Sequence, residues 1–297
     1  MTHTSNNRPL KRVALAAVAV SILVGGVACT AQSSPATSTS KTFAVPATTL
    51  TMTSNDGHKL AFYVTPGKLP AIVLDAGGGV DHTYWKKLVP VLASQTGSEI
   101  ITYDRSGEGK SSKVPGAFDP KSAADDLDSG LKQVGVTHDV VLVSHSEAGE
   151  IATNLVNAHT GVVAGAVLVD ASLPEFYSAD ETARIVAANT PEIVVLKKQP
   201  LTKSTRQLLA AAENYGPAHS EYHSMTWPAS IPVNVIASSA TPFTTKIDAR
   251  RWHEAQSDFA KAASNRRLVT LKSSHDIPVD RPAAVEAQIE NMVKRVR

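Results

Sequence analysis

The stretch Val140–Gly149 constrains the fold more strongly than any other part of this chain. It begins with four apolar residues, three of them β-branched, which predict a buried strand. Small residues, Ser144 and Ala148, then flank Ser146 on either side, and a helix-compatible run follows. A turn this tight brings the side chains beside its tip against neighbouring backbone, so those side chains must be small. The pattern therefore predicts a strand, a sharp turn and a helix, with Ser146 at the tip of the turn.

Composition limits the classes of function that remain. The chain has 297 residues, of which 42% are hydrophobic and 19% charged, as is typical of a globular protein. Its formal net charge is +2, and no basic cluster with interleaved aromatic residues is present. A nucleic-acid partner is therefore not expected.

The N-terminal segment has the pattern of an export signal. Three basic residues between positions 8 and 12 precede an uncharged apolar run, Val13–Ala28, which is too short and wrongly flanked for a membrane span. The signal, residues 1–29, ends at Cys29, the only cysteine of the chain. Its position resembles the lipobox of bacterial lipoproteins, which implies lipidation of Cys29. Because Gly26 stands where that motif usually has leucine, ordinary cleavage after Ala28 and secretion remain the alternative.

The rest of the chain is predicted to be a tether and one folded domain. Residues 30–48 are rich in Ser, Thr, Ala and Pro, which is typical of a flexible linker. With no other cysteine, the domain over residues 49–297 has no disulfide bond and must be stabilised by its core. A lipid at Cys29 would anchor this domain to a membrane of the cell envelope.

Short apolar runs alternate with helical patterns along the domain. A hairpin is predicted around Asn55-Asp56-Gly57, and strand–helix alternation follows up to Asp170. Alternation stops over residues 173–230, where only Ile193–Leu196 has strand character, and resumes at Val233. The order predicts a mostly parallel sheet with helices on both faces, a hairpin at one edge, and a helical cap inserted after the sixth strand.

Polar and glycine-rich motifs follow the predicted strands, where reactive groups collect in such sheets. In chain order they are Ala76-Gly77-Gly78-Gly79, Tyr103-Asp104-Arg105-Ser106-Gly107-Glu108-Gly109-Lys110-Ser111, Ser144-His145-Ser146-Glu147-Ala148 and Ser273-Ser274-His275. Together they resemble, over most of residues 49–296, the α/β-hydrolase superfamily, whose G-x-S-x-G nucleophile elbow has the strand–turn–helix context of Ser146. The resemblance implies the α/β-hydrolase fold.

The resemblance also implies roles for individual residues. A serine hydroxyl is a weak nucleophile until a base takes its proton, and His275 is the candidate base for Ser146. The backbone N–H groups of Gly78 and Glu147 are the implied donors of an oxyanion hole. The Glu147 side chain faces either substrate or solvent, and Asp104 and Arg105 are expected to brace the loop beneath the site.

The acidic member of the triad is less obvious. The family most often carries it after the strand at Val233, but Thr241 stands at that position and has no charge. Some members carry the acid after the preceding strand, which here is Asp170. Asp170 is therefore the predicted acid; a turn-capping role for it, and Asp248 or Asp276 as the acid, are the alternatives.

A serine nucleophile argues against haloalkane dehalogenase and epoxide hydrolase chemistry, which need a carboxylate nucleophile. The predicted function is hydrolysis of a small-molecule carboxylic ester, with no cofactor and no metal. His219 and His223 share one helix face without further ligands, which indicates a solvated face. The alternatives are a proline iminopeptidase-like aminopeptidase and a non-catalytic cell-surface binding protein on the same fold.

Overall fold

A computed structural model of the protein describes residues 44–200 and 202–297. The predicted export signal, Cys29 and most of the predicted tether therefore lie outside the described residues. No helix within the described ranges has the length and apolar character needed to cross a membrane.

The centre of the molecule is an eight-stranded sheet in the order β1-β2-β4-β3-β5-β6-β7-β8. Only the β1–β2 and β2–β4 pairs are antiparallel, so the hairpin lies at one edge of an otherwise parallel sheet. The strands are β1 (Thr49–Asn55), β2 (His58–Thr65), β3 (Lys68–Asp75), β4 (Ser98–Asp104), β5 (Val140–His145), β6 (Val163–Val169), β7 (Val233–Ser238) and β8 (Arg266–Leu271). The predicted mostly parallel sheet is confirmed.

Helices cover both faces of the sheet, and their apolar sides form two cores. One core packs the sheet against α2 and α3, and the other packs it against α1 and α9. The central strands are buried on both faces, which is why they are continuous apolar runs rather than alternating ones. The helices are α1 (Leu88–Thr96), α2 (Pro120–Gln133), α3 (Ala148–Ala158), α4 (Ala179–Leu196), α5 (Lys203–Glu213), α6 (Tyr215–His223), α7 (Lys246–Lys261), α8 (Ile277–Asp280) and α9 (Pro282–Val296), with short 3₁₀ helices at His82–Trp85 and Pro174–Phe176.

The insertion between β6 and β7 is helical, as predicted, and consists of the Pro174–Phe176 3₁₀ helix followed by α4, α5 and α6. The strand character assigned to Ile193–Leu196 is wrong, because these residues form the last turn of α4. Their β-branched side chains are partly exposed, so no sheet neighbour is available to hold them extended. The buried aromatic residues of the insertion pack on α7, which fastens the cap to the body of the fold.

Candidate active site

Ser146 occupies the turn between β5 and α3 in a strained conformation. Its φ is +57°, in the left-handed region that residues with a Cβ rarely adopt. The turn is held by the Ser146 carbonyl, which accepts hydrogen bonds from the N–H groups of Gly149 (3.0 Å) and Ser172 (2.9 Å). Gly149 is required there, since a Cβ on it would collide with the backbone oxygen of Ser172. The turn therefore lifts the Ser146 side chain above the end of the sheet, where it is partly exposed.

Three of the predicted site residues form a continuous hydrogen-bonded chain. The Ser146 hydroxyl lies 2.8 Å from His275 Nε2, and His275 Nδ1 lies 2.7 Å from Asp170 Oδ2. Because Asp170 presents only acceptors, Nδ1 carries the ring proton and Nε2 is left to accept the hydroxyl proton of Ser146. The structure thus brings together residues from the ends of β5 and β6 with His275 from the loop after β8, which is 105 positions from Asp170 and 129 from Ser146 in the chain.

Asp170 is held in place by more contacts than its partner histidine. Its carboxylate is fully buried and also receives the backbone N–H of Ser238 (3.2 Å) and the indole N–H of Trp252 (3.0 Å), while the Ser238 hydroxyl lies 2.6 Å away. Burial opposes ionisation, but hydrogen bonds from His275, Ser238 and Trp252 outweigh it and hold the pKa of Asp170 below its usual value. The sequence motifs gave no indication of Ser238 or Trp252.

The residue at the usual acid position, Thr241, and the two alternative acids, Asp248 and Asp276, lie elsewhere. Thr241 donates to the backbone oxygen of Phe243 and accepts its N–H. Asp248 is bound by Thr245 and by Arg184 of the cap. Asp276 accepts the hydroxyl proton of Tyr84 at 3.3 Å. None of the three contacts the ring nitrogens of His275 among the described hydrogen bonds.

A second histidine supports the loop that carries His275. His145, immediately before Ser146, is buried and its Nε2–H donates to the backbone oxygen of His275 at 3.0 Å. Burial, and secondarily the proximity of His275, lowers the pKa of His145 to about 3, so its ring is neutral near neutral pH. His145 therefore fixes the base-bearing loop without adding a positive charge beside it.

The predicted oxyanion donors lie on adjacent segments linked by Arg105. Its guanidinium donates to the backbone oxygen of Gly77 and to Glu147 Oε1, the latter at 2.9 Å. The Glu147 carboxylate lies across Gly78, where a Cβ would come within 2.9 Å of it. The Glu147 side chain, which is 17% exposed, is therefore paired with Arg105 rather than freely solvated, and this contact between distant motifs was not predicted.

The charge states of this pair follow from the chemistry of arginine. Burial raises the pKa of Glu147, and Arg105 opposes that rise. Burial also acts against the charge on Arg105, but nearby carboxylates, Glu147 foremost, raise its pKa overall. Because a guanidinium keeps its proton at any accessible pH, we treat Arg105 as charged and the contact as a charge-assisted hydrogen bond.

A cavity of about 710 Å³ opens beside Ser146 rather than directly over it. It reaches the site at Gly78 and Glu147, although Ser146 and His275 are not among its lining residues. Its apolar walls come from the loop before α2 and from α5, namely Val114, Pro115, Ala117, Phe118, Leu209, Ala210 and Ala211. The cavity is within the size range of small-molecule sites in proteins.

The cap is tied to the nucleophile helix by a buried polar contact. His219 of α6 is buried, with Nε2 lying 3.2 Å from Glu150 Oε1 and Nδ1–H donating to the backbone oxygen of Tyr215 at 2.7 Å. The solvated face predicted for these two histidines is therefore wrong for His219, because α6 packs on α3 at this point, whereas His223 is exposed as predicted and donates to the backbone oxygen of Pro174. The polarity of the two side chains does not reveal such packing from sequence.

One group of side chains in the described ranges has spacing suited to a metal ion: Asp81, His82 and Asp104, whose ligand atoms lie within 4.8 Å of one another. Both Asp104 oxygens are already engaged. Oδ1 accepts from the N–H and Nδ1–H of His82, and Oδ2 accepts from Tyr63 and from the backbone of Lys110. These hydrogen bonds explain the cluster as one that braces the neighbouring loops.

Comparison with known proteins gives one broad family and distant relatives. A protein of Bacillus subtilis (strain 168), YqjL, described as uncharacterised, is 27% identical over 232 residues, which is 73% of this chain and 81% of that protein. A non-heme haloperoxidase of Rhodococcus erythropolis is 32% identical over 124 residues, 41% of this chain and 44% of that protein. The second match spans less than half of either protein.

Solved structures agree with the fold. A hydrolase from Pseudomonas aeruginosa has a TM-score of 0.58 at 20% identity, covering 82% of this chain and 97% of that one. A thermophilic esterase from Thermogutta terrifontis has a TM-score of 0.57 at 20% identity, covering 84% and 99%. The profile of the Alpha/beta hydrolase family matches residues 72–288, which is most of the chain. The chain belongs to the alpha/beta hydrolase family.

Proposed function

We propose that this protein hydrolyses a carboxylic ester through Ser146, His275 and Asp170. The observation that carries the proposal is the hydrogen-bonded chain from the Ser146 hydroxyl through His275 to the buried Asp170 carboxylate. The strained backbone of Ser146 also supports the proposal, since residues held in rarely populated φ/ψ regions are concentrated at functional sites.

In the proposed reaction, His275 Nε2 takes the hydroxyl proton as Ser146 Oγ bonds to the substrate carbonyl carbon. The tetrahedral intermediate collapses, the C–O bond to the alcohol breaks, and His275 returns the proton to the departing alcohol. His275 then removes a proton from water as the water oxygen bonds to the acyl carbon, and it returns that proton to Ser146 Oγ as the bond between Oγ and the acyl carbon breaks and the carboxylic acid is released. Asp170 keeps the ring in the required tautomer and stabilises the imidazolium formed in each half-reaction.

The oxyanion that forms at each tetrahedral stage needs fixed donors. The backbone N–H groups of Gly78 and Glu147 are our candidates, and neither donates a hydrogen bond to another group in the described part of the chain. Free N–H groups beside a nucleophile are suited to receive developing negative charge.

The cavity beside Glu147 supports an ester with a sizeable apolar group. The exposed area of its walls is mainly apolar, and Glu147, the lining carboxylate next to Ser146 in the chain, is paired with Arg105. Four further carboxylates line the cavity, those of Glu108, Asp119, Asp126 and Glu213. An aminopeptidase would have to bind the substrate's ammonium group at one of these rather than at Glu147, so an ester is the substrate that we propose.

The test begins with a fluorophosphonate probe on the purified protein. We expect covalent labelling of the wild type and none of Ser146→Ala, with both proteins folded by circular dichroism. Rates on p-nitrophenyl esters of increasing chain length are then compared with rates on prolyl anilides. A folded wild type that is not labelled would favour the binding-protein alternative, and faster cleavage of anilides would favour the peptidase.

We further propose that the enzyme acts in the cell envelope, held by a lipid on Cys29. The proposal rests on the sequence of residues 1–29. Cells fed an alkyne-tagged fatty acid should yield a tagged wild type and an untagged Cys29→Ala variant. A tag that persists in the variant, or an untagged wild type released into the medium, would contradict the lipid anchor.

A further inference from the structure

We propose that Arg105 is a positioning residue that orients the Gly78 N–H for catalysis, by fixing the carbonyl of the preceding peptide. This inference rests on the proposed ester hydrolysis and concerns how its oxyanion hole is formed. Arg105 contacts none of the reacting atoms; it acts through the backbone of the glycine loop.

The two proposed oxyanion donors differ in how their peptide planes are held. In a trans peptide the C=O and the following N–H point in opposite directions, so fixing the carbonyl fixes the N–H. The carbonyl before the Glu147 N–H belongs to Ser146 and is bound by two backbone N–H groups, from Gly149 and Ser172. That donor is held by the main chain alone.

The carbonyl before the Gly78 N–H belongs to Gly77 and is held by a side chain. Within the described residues, this carbonyl accepts a hydrogen bond from the Arg105 guanidinium. Both residues of this peptide are glycines, which lack a Cβ and accept many φ/ψ combinations. Rotation of this peptide is therefore easy unless its carbonyl is restrained.

Arg105 is suited to the task because it is itself restrained. It is buried, and its other terminal nitrogen is 2.9 Å from Glu147 Oε1, in the residue that supplies the second proposed donor. One planar guanidinium thus links the two segments whose N–H groups would receive the oxyanion. A lysine ammonium lacks this rigid two-sided geometry and could not reproduce both contacts in the same plane.

The test compares an ester with the thionoester in which sulfur replaces the carbonyl oxygen. Sulfur is larger and a weak hydrogen-bond acceptor, so an oriented oxyanion hole favours the oxygen substrate. Arg105→Met should lower kcat on the ester by about 10²- to 10³-fold with a smaller change in KM, and the oxygen-to-sulfur ratio of kcat/KM should fall toward one. Arg105→Lys should give an intermediate ratio.

A matched control makes the outcome decisive. Arg184→Met removes a guanidinium from an ion-pair cluster that joins Glu181 of the cap to Asp248 of α7, and should leave the ratio at its wild-type value. If Arg105→Met does not fold, the lysine variant is decisive through the same ratio.

A wild-type ratio in a folded Arg105 variant would overturn the inference, even if kcat falls, because that fall would then come from general damage. Failure of the proposed function looks different. In that case the wild type itself would neither hydrolyse the ester nor be labelled at Ser146.

Discussion

Replacing Asp75 by Asn tests whether the sheet carries a buried acid that destabilises the fold as pH rises. Asp75 is the last residue of β3, is fully buried, and neither carboxylate oxygen has a hydrogen bond of good geometry in the described part of the protein. Burial raises the pKa of Asp75 from 3.8 to about 7, with Arg105 and Tyr103 opposing the rise and Glu147 adding to it.

The sign and size of the effect follow from linkage. Between the ordinary and the raised pKa, the unfolded chain has released a proton that the folded protein still binds, so stability decreases as pH rises. A difference of about 3 pKa units corresponds to about 4 kcal/mol once pH exceeds both values. Between pH 5 and pH 8, the part that is lost is roughly 2.5 kcal/mol.

Asparagine has nearly the same shape and does not titrate, so the variant should lack this loss. Urea unfolding of wild type and Asp75→Asn at pH 5 and pH 8 gives the difference in unfolding free energy at each pH. We expect the unfolding free energy of the variant, relative to that of the wild type, to increase by roughly 2.5 kcal/mol from pH 5 to pH 8. Asp56→Asn, at an exposed turn with φ of +42°, removes the same charge from the surface and measures the net-charge effect to be subtracted.

The reasoning would be refuted if, after that subtraction, wild type and Asp75→Asn differed in unfolding free energy by the same amount at pH 5 and at pH 8. Asp75 would then keep one charge state across the interval, and the unsatisfied carboxylate would need another explanation.

Three further predictions concern the site and its supports. Asp170→Asn should lower kcat on esters by about 10³- to 10⁴-fold without unfolding the protein, because an amide can hold the His275 ring in the wrong tautomer; retention of near wild-type turnover would rule out Asp170 as the acid. Burial lowers the pKa of His219, but Glu150 and the Tyr215 carbonyl raise it overall from 6.5. The contribution of His219 to the stability of the fold is therefore full below pH 6.5 and is lost as pH rises through the raised pKa. His219→Gln should lower the free energy of unfolding in urea more at pH 6 than at pH 9. An equal loss at both pH values would contradict the assignment. Gly149→Ala should destabilise by about 1–3 kcal/mol in urea unfolding and reduce labelling of Ser146, because its Cβ meets the Ser172 oxygen. Gly216→Ala, which meets nothing within 4 Å, is the matched control and should show neither effect.

The sheet and its reactive edge could be predicted because their signals are local. Apolar runs of strand length, each followed by glycines or short polar residues, give the alternation and the position of Ser146. Chain order then brings His275 and Asp170 to the same edge. The sequence predicts the helical character of the cap but not the shape of its pocket, and the strand character assigned to Ile193–Leu196 is wrong because β-branched residues at a helix end resemble a strand.

The supporting contacts could not be predicted, for a physical reason. Arg105 and Gly77, or Trp252 and Asp170, are far apart in sequence, and nothing in the local pattern of either member depends on the other. Glu150 and His219 resemble ordinary polar residues of helix surfaces until the packing of α6 on α3 is known. Such pairs depend on tertiary structure, which single-sequence patterns do not describe.

The four residues from Asp170 to Leu173 belong both to the catalytic site and to the start of the cap. Asp170 binds His275, the Ser172 N–H holds the Ser146 carbonyl, and Leu173 leads directly into the first 3₁₀ helix of the cap. The root of the cap is therefore part of the reaction centre. In chimeras that transplant caps between hydrolases to change substrate range, the upstream junction in this protein should be placed after Phe176. A splice at Ala171 would exchange Ser172, whose N–H holds the Ser146 carbonyl, along with the cap.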